Sequence, residues 1–547
     1  MTPKLPEGLL LKGSTATPNG RSIATTRGFE SGEIIATFSS PSIAIPESPS
    51  LATTCSSCLE PSTPATGPPR PVRLCTGCRT VAYCSTTCQK LDWEKGGHKA
   101  ECKVFKRVRA EGHDFLPTPT RALVHILLRP EASAAMADLE AHFHKFLQQS
   151  GQIWDDMRLQ AMAALHYVGR EVNVKSLAET VELSCKLQIN SFSRLDPDFG
   201  ETGLFVDPAL SMLNHSCIPN AFVRFIGPEA VLHAYRKIEK GEEVKISYVD
   251  GSIPLSQRQE TFKTRYHFTC SCPRCKDDLD VYQVCRGYPH LDLNSVSLEP
   301  DLQKKLSDSQ LPTLSEKESL SATTEDIYPW CSTPISKLSD SDKAKHLRRC
   351  WLACEPLRHS PGAVVAIEPL PTVLAEANKY FVEQGSFEYS LCISSFLATR
   401  IDPYQAPAPF APQRLQGMFT VAQMLANMIT ADPGATPVPS SESLRGRIFQ
   451  TLGGINQLIV CQTIAELILY YAPATHSKGW RVTREAKALL TDLEAIKGRE
   501  RETMLVKSML ICPTVVETKH FFKQSVLDPL RELSGFCLEI MDRQLGS

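Results

Sequence analysis

Apolar and polar residues alternate in short runs near the start of the chain and again around positions 221 and 244. Elsewhere the apolar positions recur every three or four residues. Between 10 and 45, Ser22-Ile23 and Glu33-Ile34-Ile35 follow Gly20 and Gly32, and this punctuation predicts short strands. Strand patterning returns over 221–225 and 244–248. From 120 to about 187 the spacing is helical, with Leu139, Phe143, Phe146 and Leu147 expected on one face. The stretch 276–340 is irregular, and its polar segment 307–324 reads as a linker or mobile loop. Residues 341–547 are almost wholly helical by pattern, with breaks at 407–412 and 433–439. Antiparallel helix pairs stacked as a solenoid would bury so many faces most simply. The pattern is that of an α+β protein with a helical second half.

The chain of 547 residues is long enough for several domains. Its apolar share of 42% and charged share of 22% suit a globular protein. A net charge of -1 argues against a dedicated nucleic-acid binder. From Arg70 to Arg109, ten Lys and Arg stand against three Asp and Glu. That basic stretch reads as a solvated face, so nucleic-acid contact is expected to be weak or absent. No signal peptide is recognisable, because Leu9-Leu10-Leu11 is short and follows Pro6 and Glu7. The most apolar later run, 458–471, is interrupted by Gln462 and Glu466 and reads as a buried helix, which leaves no expected membrane span.

The twenty cysteines lie mostly in short-spaced pairs, a metal-binding habit more than a disulfide framework. Near the front the spacing is Cys55-x2-Cys58, Cys75-x2-Cys78, Cys84-x3-Cys88 and His98-x3-Cys102. A two-residue gap lets both thiolates of a knuckle reach one ion. A three-residue gap puts two ligands one helical turn apart. Eight ligands make two four-ligand zinc sites, and spacing alone permits interleaved or sequential pairing. Further on, Asn214-His215-Ser216-Cys217 is followed by Tyr248 in Lys-Ile-Ser-Tyr and by Cys270-x-Cys272-x2-Cys275. Cys217, Cys270, Cys272 and Cys275 make a closed four-cysteine zinc set. Such a site would pin the Asn214-His215 loop against Tyr266-His267-Phe268. The nine cysteines left over suit a reducing compartment, cytoplasm or nucleus.

The Asn-His-Ser-Cys tetrapeptide with the C-x-C-x2-C tail resembles the core of SET-domain lysine methyltransferases. The front array, with Tyr83 before Cys84 and Trp93 before His98, resembles a MYND zinc finger. Both together resemble the SET-and-MYND (SMYD) lysine methyltransferases. This resemblance implies a SET β-fold split by the finger, a post-SET zinc site and a helical, TPR-like C-terminal domain. The implied boundaries are 1–50 (first SET segment), 51–105 (finger), 106–188 (helical insertion), 189–262 (core SET), 263–280 (post-SET), 281–340 (irregular linker) and 341–547 (helical domain). It implies interleaved zinc pairing, Cys55, Cys58, Cys84 and Cys88 for one ion and Cys75, Cys78, His98 and Cys102 for the other. It implies S-adenosylmethionine as methyl donor and three structural zinc ions.

Matched motif by motif, Asn19 and Arg21 would lie near the donor's carboxylate, and Asn190 and Asn214 near its amino-acid portion. Ser211 and His215 would add hydrogen bonds, Glu140 would meet adenine or ribose, and Phe268 would lie against the adenine. Tyr248 and Tyr266 resemble channel tyrosines that orient the lysine nitrogen, with Phe192 as a further wall. The family places glycine where this chain has Ser22 and commonly a basic residue where it has Asn19, and both departures would weaken donor binding. The implied partners are a protein lysine substrate and a proline-rich peptide at the finger, the protein being a monomer. The competing expectation is a catalytically inactive scaffold that recruits proline-containing partners.

Overall fold

The computed structural model describes residues 4–13, 20–62, 70–149, 151–196, 200–287, 298, 314–359, 364–430, 442–472 and 480–546. Asn19 and the expected break at 433–439 lie outside them. The chain divides into two compact units, 1–246 with 261–269, and 247–260 with 270–547.

The first unit holds the strands. Leu9–Lys12 pairs antiparallel with Ser22–Thr25. Ala221–Ile226 forms a hairpin with Glu229–Ala234, whose other edge takes Ile34–Phe38. Ile43–Pro46 lies beside Gly200–Val206, which also pairs with Phe192–Asp196. Gly203 is required in that sheet, because a Cβ there would stand 2.2 Å from the Ile45 carbonyl oxygen. Strand patterning over 244–248 gives only the two-residue strand Lys245–Ile246, so Tyr248 lies past its end.

Helices His98–Ala110, Thr118–Leu128, Gln152–Val168 and Val174–Asn190 supply the rest of this unit. Val104 and Val108 of the first of these join Leu123, Ile126, Leu165, Ile43 and Val206 in one buried cluster. The expected common face of Leu139, Phe143, Phe146 and Leu147 does not form. His142 is left-handed (φ 46°) and breaks the chain before the helix Phe143–Gln149, leaving Leu147 47% exposed and only Phe146 of that helix buried.

In the second unit the expected irregular stretch 281–340 is partly helical. Val281–Gly287 and Leu314–Cys331 are both helices, the second overlapping the segment read as a linker. Its Ser, Thr and Glu content hid a long helix, because polar composition at low apolar moment resembles a loop. Further helices follow, among them Asp340–Ala353, Leu370–Glu383, Phe387–Phe396, Pro412–Thr430, Gln457–Tyr471 and Arg481–Glu494. Gln457–Tyr471 is buried nearly all round, and its Gln462 amide donates to Thr503 Oγ1 at 3.0 Å. Among the described residues no single helix is long and apolar enough to cross a membrane.

Leu123 sits fully buried in the first unit's cluster, whereas Leu159 is 63% exposed. Leu123→Ala should therefore destabilise that unit by about 2–5 kcal/mol. Leu159→Ala should stay within about 0.5 kcal/mol of wild type. Denaturant midpoints of the two variants check the contrast.

Candidate metal centres and the polar-aromatic site

Two metal-ligand groups lie wholly in the first unit. In each of Cys55/Cys58/Cys84/Cys88 and Cys75/Cys78/His98/Cys102 all ligand atoms lie within 4.8 Å of one another. The order along the chain is thus interleaved, the first pair with the third and the second with the fourth. Local structure explains the closeness. Ser85 caps the helix Thr86–Leu91 by accepting from Cys88 N–H at 3.1 Å, which sets Cys84 and Cys88 on one side of its first turn. The hairpin of Arg73–Leu74 with Ala82–Tyr83 brings Cys75 and Cys78 under the start of the helix His98–Ala110.

Observed Sγ separations are 3.7 Å for Cys58–Cys84, 3.6 Å for Cys84–Cys88 and 4.0 Å for Cys75–Cys102. A tetrahedron with zinc–sulfur bonds of about 2.3 Å has edges of about 3.8 Å, so the groups fit that ion. Charge agrees with geometry. The hydrogen bond from Cys58 lowers the Cys55 thiol to about 4, while burial and the neighbouring thiols push Cys102 up to about 12. Thiols so crowded would ionise together only with a cation between them.

The histidine is braced from behind. His98 Nε2 lies 3.4 Å from Cys75 Sγ and 3.8 Å from Cys78 Sγ, and its Nδ1 lies 3.5 Å from Glu101 Oε2. Arg121 donates to Glu101 from Nε at 2.8 Å and from Nη2 at 3.2 Å. All three side chains are buried. Burial alone would raise the Glu101 carboxyl, but Arg121 and His98 outweigh it and hold the group below its usual range. Glu101 is therefore a carboxylate that fixes the ring's orientation and tautomer.

Of the third expected cysteine set, Cys217 belongs to the first unit and Cys270, Cys272 and Cys275 to the second. Within the second unit those three Sγ atoms lie within 4.8 Å of one another. Gln259 exchanges two hydrogen bonds with the Cys270 backbone, at 2.8 and 3.1 Å. Buried Arg258 places Nη2 3.9 Å from Cys275 Sγ, a positive charge beside a thiol.

The remaining sequence-picked residues of the first unit form a connected network. The strand Asn214–His215 runs parallel to Lys245–Ile246. Asn214 Nδ2 donates to Arg21 O at 2.9 Å and to Glu243 Oε1 at 2.8 Å. Arg21 Nη2 donates to Asp138 O at 3.1 Å. Asn190 Nδ2 donates to Glu140 O at 2.9 Å and to Lys186 O at 2.8 Å, and Ser211 Oγ donates to Asn190 O at 2.9 Å. Glu140 accepts from His142 N at 3.1 Å and pairs with that ring at 3.3 Å. Burial raises its carboxyl, but His142 and Arg21 outweigh this and lower it overall.

Aromatic rings close the other side. His215 lies 4.4 Å from the Phe262 ring centre and 6.1 Å from Phe268, and the two phenylalanines stack at 5.0 Å. Tyr266 stands 6.4 Å from Phe268, and burial raises its phenol. The wide turn Phe262–Tyr266 and left-handed His267 (φ 57°) set these rings. Phe192 packs 6.4 Å from Phe225. Half-buried Tyr248 belongs to the second unit.

Sequence reasoning missed Glu243 and Phe262. Glu243 had a signal, a charged residue directly before a buried strand in Glu-Glu-Val-Lys. Phe262 had none beyond its apolar character. It is fully buried and carries both His215 and Phe268.

Residues 20–249 match the SET domain family model. The SET domain and MYND-type zinc finger protein 6 of Schizosaccharomyces pombe is 34% identical over 233 residues, 42% of this chain and 45% of the relative. Histone-lysine N-methyltransferase ASHR1 of Arabidopsis thaliana is 26% identical over 287 residues, 49% of this chain and 56% of the relative. Histone-lysine N-methyltransferase SMYD3 of Homo sapiens is 31% identical over 214 residues, 37% and 48%. The chain spans about half the length of the curated relatives it matches. The SET match encloses the cysteine–histidine array, and the fission-yeast relative's name records the same two elements, a SET domain and a MYND-type zinc finger.

Proposed function

We propose that this chain is an S-adenosylmethionine-dependent protein-lysine N-methyltransferase held together by three structural zinc ions. The observation that carries the reading is the hydrogen-bonded network of Arg21, Glu140, Asn190, Ser211 and Asn214, closed by the His215–Phe262–Phe268 rings, inside the SET match. The donor set suits the group. Asn190 and Asn214 spend their amide N–H groups on protein acceptors, which leaves each Oδ1 to accept from an ammonium. Arg21 pairs with the carboxylate of the same ligand, and Phe268 offers a face to a purine. When bound, S-adenosylmethionine supplies an electrophilic methyl group.

The residues do the rest. A lysine nitrogen has an ordinary pKa of about 10.4 and is protonated at neutral pH. An aromatic channel from Tyr248, Tyr266 and Phe192 disfavours the ammonium by desolvation and frees the nitrogen's lone pair. The Tyr248 hydroxyl orients that nitrogen, and positioning supplies most of the rate. The ring faces also favour the methylated cation.

The front array acts as a MYND finger splitting the SET fold, with a proline-rich peptide as its partner. Cys217 completes the zinc set of Cys270, Cys272 and Cys275, a reading supported by its place in the Asn-His-Ser-Cys tetrapeptide. Residues 341–547 form a TPR-like domain that limits which peptides reach the channel. The protein acts as a monomer in cytoplasm or nucleus, and its substrates are histone or non-histone proteins.

Isothermal titration with S-adenosylmethionine tests the reading. Binding in the micromolar range is expected, and no binding at millimolar donor would leave a scaffold. Tyr248→Phe should keep donor affinity within about threefold while lowering turnover by about 100-fold, the low end of what a positioned proton-handling group contributes. Turnover equal to wild type would remove Tyr248 from the mechanism.

Elemental analysis should find three zinc ions per chain. Glu101→Ala should weaken retention of one of them by about 10- to 100-fold against a chelator. Arg121→Ala should act in the same direction, whereas unchanged retention in both variants would show that His98 needs no brace.

A further inference from the structure

A cavity of about 70 Å³ lies wholly within the second unit, walled by the segment after Tyr248, by the helix Leu314–Cys331 and by Ile367 and Glu368. It has room for about five water-sized groups, the number of heavy atoms in a lysine side chain. Ile253, Leu320 and Ile367 make part of the wall apolar. Four carboxylates and two guanidiniums also line it. Arg258 and Arg274 are matched in number by Asp278 and Asp280, which leaves Glu325 and Glu368 as the excess.

Glu325 accepts from Ser256 N at 3.0 Å through Oε1, while its Oε2 is shut off from solvent without a donor. Glu368 is 5% exposed. It accepts from Thr372 N at 3.3 Å and from the Gln405 amide at 3.1 Å, both neutral donors. Among the described residues neither carboxylate has a cationic partner. Burial and the charge of Asp250 raise the Glu368 carboxyl to about 7, as expected of a buried acid that lacks a counterion. Arg258 does not fill that role, since its Nη1 donates to the Ile253 carbonyl and its Nη2 lies 3.9 Å from Cys275 Sγ. Among the described residues every group compact enough to enclose a metal ion contains cysteines, so this cavity suits an organic cation. A cationic head would supply the missing charge, and an aliphatic stem would cover the apolar wall. Lysine and arginine side chains have that form.

The place of the cavity points to the source of the cation. Ser252 on its wall follows Tyr248 by four residues, and both belong to one unit. An extended chain spans at most about 3.6 Å per residue, so this wall lies within about 14 Å of the tyrosine, and a bound peptide covers that distance in about four residues. We propose that the cavity binds the side chain of a second lysine or arginine of the substrate, within about four positions of the lysine to be methylated. The inference rests on the methyl-transfer reading, which brings the first lysine to Tyr248. Binding of the second side chain does not need the methyl donor.

The test uses the full chain and short fluorescent peptides, each with a central lysine. One further position, walked outward on either side, carries lysine, arginine or norleucine, the last of which keeps the stem and drops the charge. Binding is read by fluorescence anisotropy without S-adenosylmethionine. At one or more positions wild type should bind the lysine or arginine peptide about tenfold more tightly than the norleucine peptide, the contribution of one charge-assisted hydrogen bond. Glu325→Gln should abolish that preference. Asp326→Asn, the same change of charge at the next and exposed residue, should keep it. Glu368→Gln should act like Glu325→Gln, and if it fails to fold Glu325→Gln decides alone. Equal binding of the three peptides at every position would overturn the site, and so would an equal loss in Glu325→Gln and Asp326→Asn. Methylation of the peptides without any preference for charge would remove the cavity and keep the catalytic reading. A charge preference lost in Glu325→Gln, with no methyl transfer to any peptide, would keep the cation site and remove the catalytic reading.

Discussion

Asn214 reaches back 193 positions to donate to the carbonyl of Arg21, and the same amide holds Glu243. Three segments far apart in sequence meet at that one side chain. An amide is suited to the task because its two N–H groups diverge from one nitrogen. The parallel pairing of Asn214–His215 with Lys245–Ile246 holds the side chain in place. From this clamp the rest of the polar network follows. Arg21 continues it to Asp138, and the neighbouring Glu140 joins Asn190 and Ser211. Loss of the clamp would leave the Arg21 carbonyl without this donor and the half-buried Glu243 carboxylate with Lys245 as its remaining ion pair, and an unmet main-chain acceptor costs more than the bond itself contributes.

Metal chemistry was the most legible part of the sequence, because a tetrahedral ion constrains spacing more tightly than packing constrains composition. The pairing of Cys55 and Cys58 with Cys84 and Cys88 was open on spacing and appears only in three dimensions. Strands near Ile23, Ile34 and Phe222 were readable from alternation. Polar helices were not, and Leu314–Cys331 looked like a linker since helix-forming Glu and Ser also populate loops. Leu147 misled for a different reason. Periodicity assumes a continuous helix, and left-handed His142 resets the phase. Phe262 was invisible as a site residue, because an aromatic in an apolar pattern looks the same whether it packs a core or supports His215.

The array is joined to its surroundings by more than apolar contact. Glu101 and Arg121 form a buried bidentate pair between the helix carrying His98 and the next helix. Such a pair recovers its desolvation cost only with good geometry and further partners. Here the imidazole of His98 is the further partner. The Tyr83 hydroxyl adds a second, half-buried contact nearby, donating to Asp92 Oδ2 at 2.7 Å. The ligand, its brace and the core helix are therefore one unit of structure, and the Val104 and Val108 face of the same helix completes the cluster around Leu123.

The strand Ile34–Phe38 pairs with Glu229–Ala234 although the whole cysteine–histidine array and five helices lie between them in sequence. At equilibrium this separation costs little, because the entropy of closing a loop grows only with the logarithm of its length and each doubling adds about 0.6 kcal/mol. In time it costs more. Distant pairings dominate the search for the native state and slow it, and until they form the strand edges stay unpaired. An array able to fold around its own ions would divide that search into shorter ones, drawing residue 55 to residue 102 before the sheet closes. On this view the cysteine–histidine array that separates the two strands in sequence also shortens the path by which they find each other.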